Sequence, residues 1–294
     1  MKRSNYRFFH RLRVRWVEVD MQKIVFNGHY LMYFDSAISG YWSHLALPYE
    51  TAFQALGGEM YVKKATVQYH ASALMDDNLD IGMKCSKVGN SSMVFNADIF
   101  RGDKLLISGE LIYVFADPIQ QTSKPVPQAL RHILEGYEAG ESMVELKTGS
   151  WHDMQALASP LRIDVFVKEQ EVPIELEWDE LDATALHAVV INRLGQGVAT
   201  GRLLQAAPGV AQIGRMAVHK ALRGSSLGQQ VMLALEQAAH ARGDVKVMLH
   251  AQRSAEGFYH RLGYVAHGEA FDDAGIEHIE MSKNLTASNA VQSA

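Results

Sequence analysis

The sequence predicts an α+β protein of two domains, an antiparallel sheet wrapping one long helix followed by a unit that mixes strands and helices. Three observations carry this. The 294 residues are about twice the ~150 typical of one domain. Residues 1–140 carry 15 basic and 14 acidic side chains, whereas residues 141–294 carry 13 and 19, an asymmetry that suits two units of different history. Prolines and polar residues over Asp117–Pro127, then Ala139-Gly140-Glu141-Ser142, separate a meander pattern from a mixed one. Domains are expected over 1–138 and 143–284.

In the first half, Tyr6 to Trp16 reads as a strand and Asp20 to Lys23 as a turn. From Asn27 to Leu47 a wide apolar stripe recurs at three and four residues: Tyr30, Tyr33/Phe34, Ala37/Ile38, Tyr41/Trp42, Leu45. That spacing predicts a helix enclosed by other structure. Strands are expected over Glu59–His70, Leu79–Val88, Ser92–Phe100 and Lys104–Phe115, with hairpin turns at Gly89-Asn90 and Gly102-Asp103. A short helix over Gln128–Glu138 closes the half. The second half reads as a strand at Val144–Lys147 and a helix at His152–Val167, then an acidic segment over Glu169–Asp182. Strands follow at Ala185–Arg193, Val198–Leu204 and Gln212–Val218. A helix over Ser226–Arg242 is capped by Gly243, and Val245–Ala251 (strand), Ala255–Leu262 (helix) and His278–Lys283 (strand) complete it. The tail beyond Asn284 is expected to fray.

Composition narrows the function classes. With 48% hydrophobic and 21% charged residues, disorder and fibres are excluded. The single cysteine, Cys85, forms no internal disulfide and suits a reducing compartment. There is no run of 18 apolar residues, and Met1–His10 lacks the apolar core of a signal peptide, so a cytoplasmic location is expected. Neither half is basic enough for nucleic acid. The 13 histidines show no metal-binding spacing, and no metal or prosthetic group is expected. The basic run Lys2, Arg3, Arg7, Arg11, Arg13, Arg15 suits either a charge-protected edge strand or contact with CoA phosphates, an acyl carrier protein or anionic lipid.

The first candidate site is Asp20, a carboxylate just upstream of the helix start at Asn27. Free N–H groups there can polarise a carbonyl and hold an oxyanion, while a carboxylate attacks or activates water. An aspartate before a helix is also a common loop or capping residue. The segment Arg13 to Asp20, then Ile24-Val25-Phe26-Asn27-Gly28-His29-Tyr30-Leu31, Tyr33-Phe34-Asp35 and the closing Val114-Phe115-Ala116-Asp117-Pro118, resembles hotdog-fold acyl-CoA thioesterases of the YbgC/FadM (4-hydroxybenzoyl-CoA thioesterase-like) type. The resemblance covers about residues 7–135. It implies that Asp20 is catalytic, that the Asn27 N–H polarises the thioester, and that two copies pair their sheets with sites at the interface. Lys23 stands where the family often has Gly, and Phe26-Asn27 where it often has Tyr-His. His29 suits substrate contact or structure, Tyr30 and Tyr33 a core or tunnel wall, and Asp35 a solvated position.

The second candidate site is the strand–loop–helix passage from Ile213 to Gly228. Its small residues let successive N–H groups converge, and the following helix adds its positive end. It is neither a P-loop nor a dinucleotide fingerprint. The run Arg223-Gly224-Ser225-Ser226-Leu227-Gly228, with Leu249-His250-Ala251-Gln252 and Phe258-Tyr259-His-Arg-Leu-Gly263-Tyr264, resembles the GNAT N-acetyltransferases. Val165 to Pro173 and Gly275-Ile276-Glu277-His278 narrow this to ElaA-like members, over about 143–284. The resemblance implies a mixed α/β acetyltransferase fold and CoA pyrophosphate binding over Arg223–Gly228. It further implies pantetheine pairing by Met216 and Val218, pantetheine contact by Gln252, and protonation of the leaving thiolate by Tyr259. A phenol of pKa about 10 suits that last role. Ser226 stands where the family usually has glycine. The acidic stretch Glu169, Glu171, Glu175, Glu177, Asp179, Glu180, Asp182 either draws in an amine or is a solvated loop; His250 and His278 are other candidate bases.

The expected function is therefore bifunctional: hydrolysis of an acyl-CoA thioester, and transfer of an acetyl or acyl group from CoA to an amine. Acyl-CoA is substrate in both, the amine is unspecified, and a homo-oligomer forms through the hotdog domain. The alternatives are a working thioesterase with a non-catalytic, acyl-CoA-sensing or docking GNAT domain, and a scaffold held near the envelope by the basic N-terminus.

Overall fold

The computed structural model describes residues 2–285, so the tail expected to fray lies, from residue 286 on, outside the described residues. The chain divides into two compact units between Met143 and Val144.

In the first unit, β1 (Phe8–Arg13), β2 (Glu59–Tyr69), β3 (Asn78–Val88), β4 (Ser92–Arg101) and β5 (Lys104–Ala116) form an antiparallel sheet in the order β1-β3-β4-β5-β2. The sheet holds α1 (His29–His44), whose Tyr30, Tyr33, Phe34, Ala37, Ile38, Tyr41 and Trp42 are all buried. These are the positions of the sequence stripe. Trp42 meets Phe53 and Phe95 edge-on at 5.3 and 5.9 Å, so its truncation to Ala would cost about 3–5 kcal/mol. Gly109 of β5 permits the close approach of α1: a side chain there would lie 2.6 Å from the Phe34 ring and 3.0 Å from the Ala97 carbonyl oxygen.

Three local features differ from expectation. β1 ends at Arg13; Val14 still exchanges backbone bonds with Asp76 and Asp77 ahead of β3, and Trp16–Glu18 then closes as a 3-10 turn. α1 begins at His29, since Asn27 and Gly28 are spent on the preceding turn. A second helix, α2 (Tyr49–Leu56), follows Pro48 directly, with Tyr49 stacked on Phe53 at 4.3 Å. α1 has already ended at His44, with Leu45 as its cap, and Pro48 is the N-cap of α2. α3 (Gln128–Ala139) packs on β3. The N-terminal basic run is largely neutralised in place. Arg3 and Arg11 pair with Asp80, Arg13 with Asp76 and Arg15 with Glu18.

In the second unit, seven strands lie in the order β11-β12-β10-β9-β8-β7-β6. They are β6 (Val144–Gly149), β7 (Leu186–Asn192), β8 (Gly197–Ala207), β9 (Val210–Val218), β10 (Lys246–Gln252), β11 (Val265–Asp273) and β12 (Ile276–Asn284). Only β9 and β10 run parallel. The helices are α4 (Trp151–Arg162), extended by a π-helical turn over Ile163–Glu169, then α5 (Ile174–Glu177), α6 (Leu227–Arg242) and α7 (Glu256–Arg261). β11 is absent from the sequence expectation because it is a polar edge strand. It pairs with β12 through a hairpin whose Ala274 and Gly275 both take positive φ, 53° and 80°, the backbone of a tight two-residue turn.

No helix among the described residues is long and apolar enough to cross a membrane.

Candidate functional site

In the first unit, Asp20 heads a tight turn. Its backbone N–H donates to the Ile24 carbonyl, its carbonyl accepts from the Lys23 N–H, and one carboxylate oxygen accepts from the Gln22 N–H at 2.8 Å. The turn needs a left-handed residue, and Lys23 supplies it at φ 63°. The Phe26 N–H donates to the Glu18 carbonyl and the Val25 N–H to that of Ala73. The Asp20 turn is thereby held just upstream of α1. Asn27 is exposed, and its N–H has no partner among the described residues; its carbonyl accepts from the Tyr69 hydroxyl at 3.4 Å.

Beneath this turn lies a buried carboxylate that the sequence reading passes over. Glu18 accepts bonds from the Arg15 N–H and guanidinium and from the Tyr33 hydroxyl at 2.8 Å. Burial raises its pKa, but these donors outweigh burial and hold it below the usual carboxylate range. Burial and the facing Glu18 in turn push the Tyr33 phenol upward. Tyr33 is thus a hydrogen-bonded strut. Tyr30 accepts from the Ala73 N–H at 3.1 Å, and His29 lies 3.3 Å from the Met32 sulfur. Asp35 is exposed. The signal for Glu18 was available in Arg15 three residues before it, a spacing that serves a turn as well as a helix.

In the second unit the opening is made by strand divergence. β9 and β10 pair only where Val210–Gln212 meets Lys246–Met248; further on β9 follows β8 and β10 follows β12. Two cavities occupy the gap. The larger, ≈ 820 Å³, reaches Val218, Arg223, Gly224, Ser226, Leu227 and Gly228; the smaller, ≈ 420 Å³, reaches Arg215, His250 and His278. They share Gln170, Met216, Gln252, Ala255 and Tyr259. Gly224 takes φ 85° and Ser226 φ 65°, which turns the loop so that α6 starts at Leu227. An N-terminal helix end beside converging N–H groups favours an anion.

Tyr259 is 8% exposed, and its hydroxyl makes no hydrogen bond among the described residues. Burial alone pushes its pKa up to about 12, which keeps it protonated. Gln252 donates to Gln170 at 3.0 Å, and both residues line the shared region.

Family models match both units: the thioesterase superfamily over residues 22–108 and the GNAT acetyltransferase domain over residues 155–285. The uncharacterized N-acetyltransferase YjcF of Bacillus subtilis (strain 168) is 40% identical over 125 residues, 42% of this chain and 88% of that protein. ElaA of Escherichia coli (strain K12) is 34% identical over 129 residues, 42% of this chain and 84% of that protein. The chain belongs to the GNAT acetyltransferase family through its second unit, and its first unit carries a thioesterase-superfamily domain. A solved 1,4-dihydroxy-2-naphthoyl-CoA thioesterase from Synechocystis aligns over 43% of this chain and 94% of its own, at 16% identity and TM-score 0.40.

In the GNAT unit the expected loop residues come together at the larger cavity, with one exception. Ser225 turns its hydroxyl back onto the Leu222 carbonyl and is not among the lining residues. Arg223 lines the cavity but is held by Glu169 in a two-bond pair at 2.6 and 2.7 Å. The acidic segment is not an open acidic wall. Glu177 and Asp182 both bind the buried Arg162, whose guanidinium lies 5.0 and 4.9 Å from the Trp151 and Trp178 rings. Asp179 binds Arg202 and Arg215 at 2.6 and 3.2 Å. Four of the segment's carboxylates, Glu169, Glu177, Asp179 and Asp182, are matched by arginines from other elements, which a linear charge count misses, while Glu171, Glu175 and Glu180 are exposed. Among the described residues no three His, Cys, Asp or Glu converge to hold a metal ion.

Proposed function

We propose that this protein is a bifunctional acyl-CoA enzyme, with the thioesterase unit hydrolysing an acyl-CoA thioester and the GNAT unit moving an acetyl or acyl group from CoA to an amine. The observation that carries the second activity is the pair of cavities joined at Tyr259, Met216 and Gln252. The larger, bounded by the Arg223–Gly228 loop, takes the CoA pyrophosphate and pantetheine, with Met216 and Val218 on the open edge of β9. The smaller takes the amine. The thioester then lies where they meet, beside the unpartnered Tyr259 hydroxyl, which protonates the departing thiolate. For hydrolysis, Asp20 attacks the thioester or deprotonates water, and the free N–H of Asn27, in the turn just before α1, steadies the oxyanion.

The thioesterase unit works as a homo-oligomer. Its edge strand β2 is eleven residues long with Tyr61, Val62 and Tyr69 exposed, and Trp16, Met21 and Phe26 around the Asp20 turn are exposed as well. Long apolar edges of this kind are covered in stable proteins, and a second copy supplies the cover with two-fold symmetry. Sedimentation of the full chain as a dimer or larger at micromolar concentration is the expected result.

The second reading, a working thioesterase with a GNAT unit that only binds acyl-CoA, is favoured by one observation: Arg223 is already occupied by Glu169. A CoA-release screen over acyl-CoA chain lengths, with and without primary amines, separates the two. Amine-dependent release with N-acylated product supports transfer; release indifferent to amine, together with acetyl-CoA binding, supports the sensor.

A further inference from the structure

We infer that His278 is the proton acceptor of the acyl-transfer step, taking the proton of an ammonium held in the smaller cavity. The inference rests on the transfer reading above. His278 sits on β12 as the direct partner of Gln252 on β10. Opposed residues of an antiparallel pair project to the same face, so His278 faces the gap that Gln252 lines, and it borders the smaller cavity together with Tyr259.

The imidazole is set in one tautomer. Its Nδ1 lies 2.7 Å from the Ile276 carbonyl oxygen. A carbonyl only accepts, so Nδ1 carries a proton and neutral His278 keeps its lone pair on Nε2. Nε2 has no partner among the described residues, although His278 is only 9% exposed. The ring packs nearly parallel to Phe271, at an interplanar angle of 27°, which limits its rotation. The Tyr259 hydroxyl and the His278 Nε2 both border this cavity without a partner among the described residues, a phenol that donates and an imidazole nitrogen that accepts, and acyl transfer needs one of each.

The competing groups are committed elsewhere. Glu177, the buried carboxylate on this cavity, is bound by Arg162 and faces Arg215 at 3.4 Å. Glu169 is clamped by Arg223. His250 and Asp273 border the cavity but are exposed, where water competes for their proton transfers.

The step balances as follows. Nε2 of His278 takes one proton from the ammonium and passes it to solvent. The freed amine lone pair forms an N–C bond to the thioester carbonyl, whose oxygen holds the negative charge until the C–S bond breaks. The sulfur leaves with the bonding pair and takes the Tyr259 hydroxyl proton. The second proton lost by nitrogen restores Tyr259 through solvent, giving the amide, CoA thiol and one released proton.

The test compares the full-length wild type with His278→Gln, using benzylamine, which is an ammonium at neutral pH, and hydroxylamine, which is already neutral there. Acetyl-CoA affinity is measured by calorimetry in parallel. The expected result is a loss of about 100-fold or more in transfer to benzylamine, a loss of less than about tenfold with hydroxylamine, and unchanged acetyl-CoA binding. Equal losses with both amines, or no loss with either, would overturn the role of His278 while leaving transfer itself standing. Failure of the wild type to acetylate either amine would overturn the transfer reading and the inference together. If His278→Gln loses acetyl-CoA binding, His278→Asn is measured in its place and read by the same criterion.

Discussion

Arg223 and Glu169 grip each other through two bonds of 2.6 and 2.7 Å, and both side chains line the larger cavity of the GNAT unit. The bonds from Arg223 hold the Glu169 carboxyl below its usual range. If the Arg223–Gly228 loop takes the CoA pyrophosphate as proposed, its cation already has an internal anion as partner, which CoA would displace. Both groups are partly exposed, so the pair is worth up to about 1 kcal/mol. Glu169→Gln should tighten acetyl-CoA binding by about two- to fivefold, with the gain shrinking in high salt. Calorimetry at two ionic strengths checks this, and weaker binding in the variant would contradict it.

For hydrolysis, Asp20→Asn should lower acyl-CoA turnover by on the order of 100-fold or more, the scale of a positioned acid–base group. The bond from the Gln22 N–H to the side-chain oxygen can be kept by Asn, so the turn survives and acetyl-CoA binding by the GNAT unit is unchanged. Wild-type hydrolysis in the purified variant would remove Asp20 from the reaction.

Tyr259 and the loop should separate cleanly. Tyr259→Phe removes an interaction made only as the C–S bond breaks, so transfer slows while acetyl-CoA affinity holds. Gly224→Val should do the opposite. No atom lies within 4 Å of a side chain placed there, but φ is 85°, a conformation that a β-branched residue resists, and the added methyls crowd the pyrophosphate. Ser226→Gly relieves a left-handed serine worth about 1–2 kcal/mol and should raise thermal stability and acetyl-CoA affinity together. A transfer assay paired with calorimetry and thermal melts reads all three.

His187 makes the stability of the GNAT unit pH-dependent. It is 1% exposed beside the Trp151 ring, and its Nε2–H donates to the Asp182 carbonyl at 3.0 Å. Burial lowers its pKa; the Asp182 carbonyl and charge oppose this, and the Arg162 and Arg202 charges add to it. As pH falls through about 6.5, the unfolded chain takes up this proton before the folded one does. Stability from this group is then full above that pH and lost below it. The melting temperature should fall more steeply below pH about 6.5 in wild type than in His187→Gln. Parallel slopes would show that other groups govern the acid limb.

The two-unit plan, the buried α1, the meander and the loop from Arg223 to Gly228 are legible in the linear chain. Each rests on information within a few residues: a three-and-four spacing, strand alternation, or small residues between a strand and a helix. The linear chain also pointed to Asp20 and Tyr259, whose surroundings are set by the turn and helix in which they stand. Tertiary structure alone decided which charges are available. Arg162, Arg202, Arg215 and Arg223 reach the acidic segment from other elements and pair with Glu169, Glu177, Asp179 and Asp182, four of the seven carboxylates in what reads as an unbroken acidic run. It alone set His278 opposite Gln252, because strand register joins residues 26 positions apart and no local pattern records it. It likewise placed Glu18 beneath Tyr33, where burial and three donors, not the residue type, determine its charge.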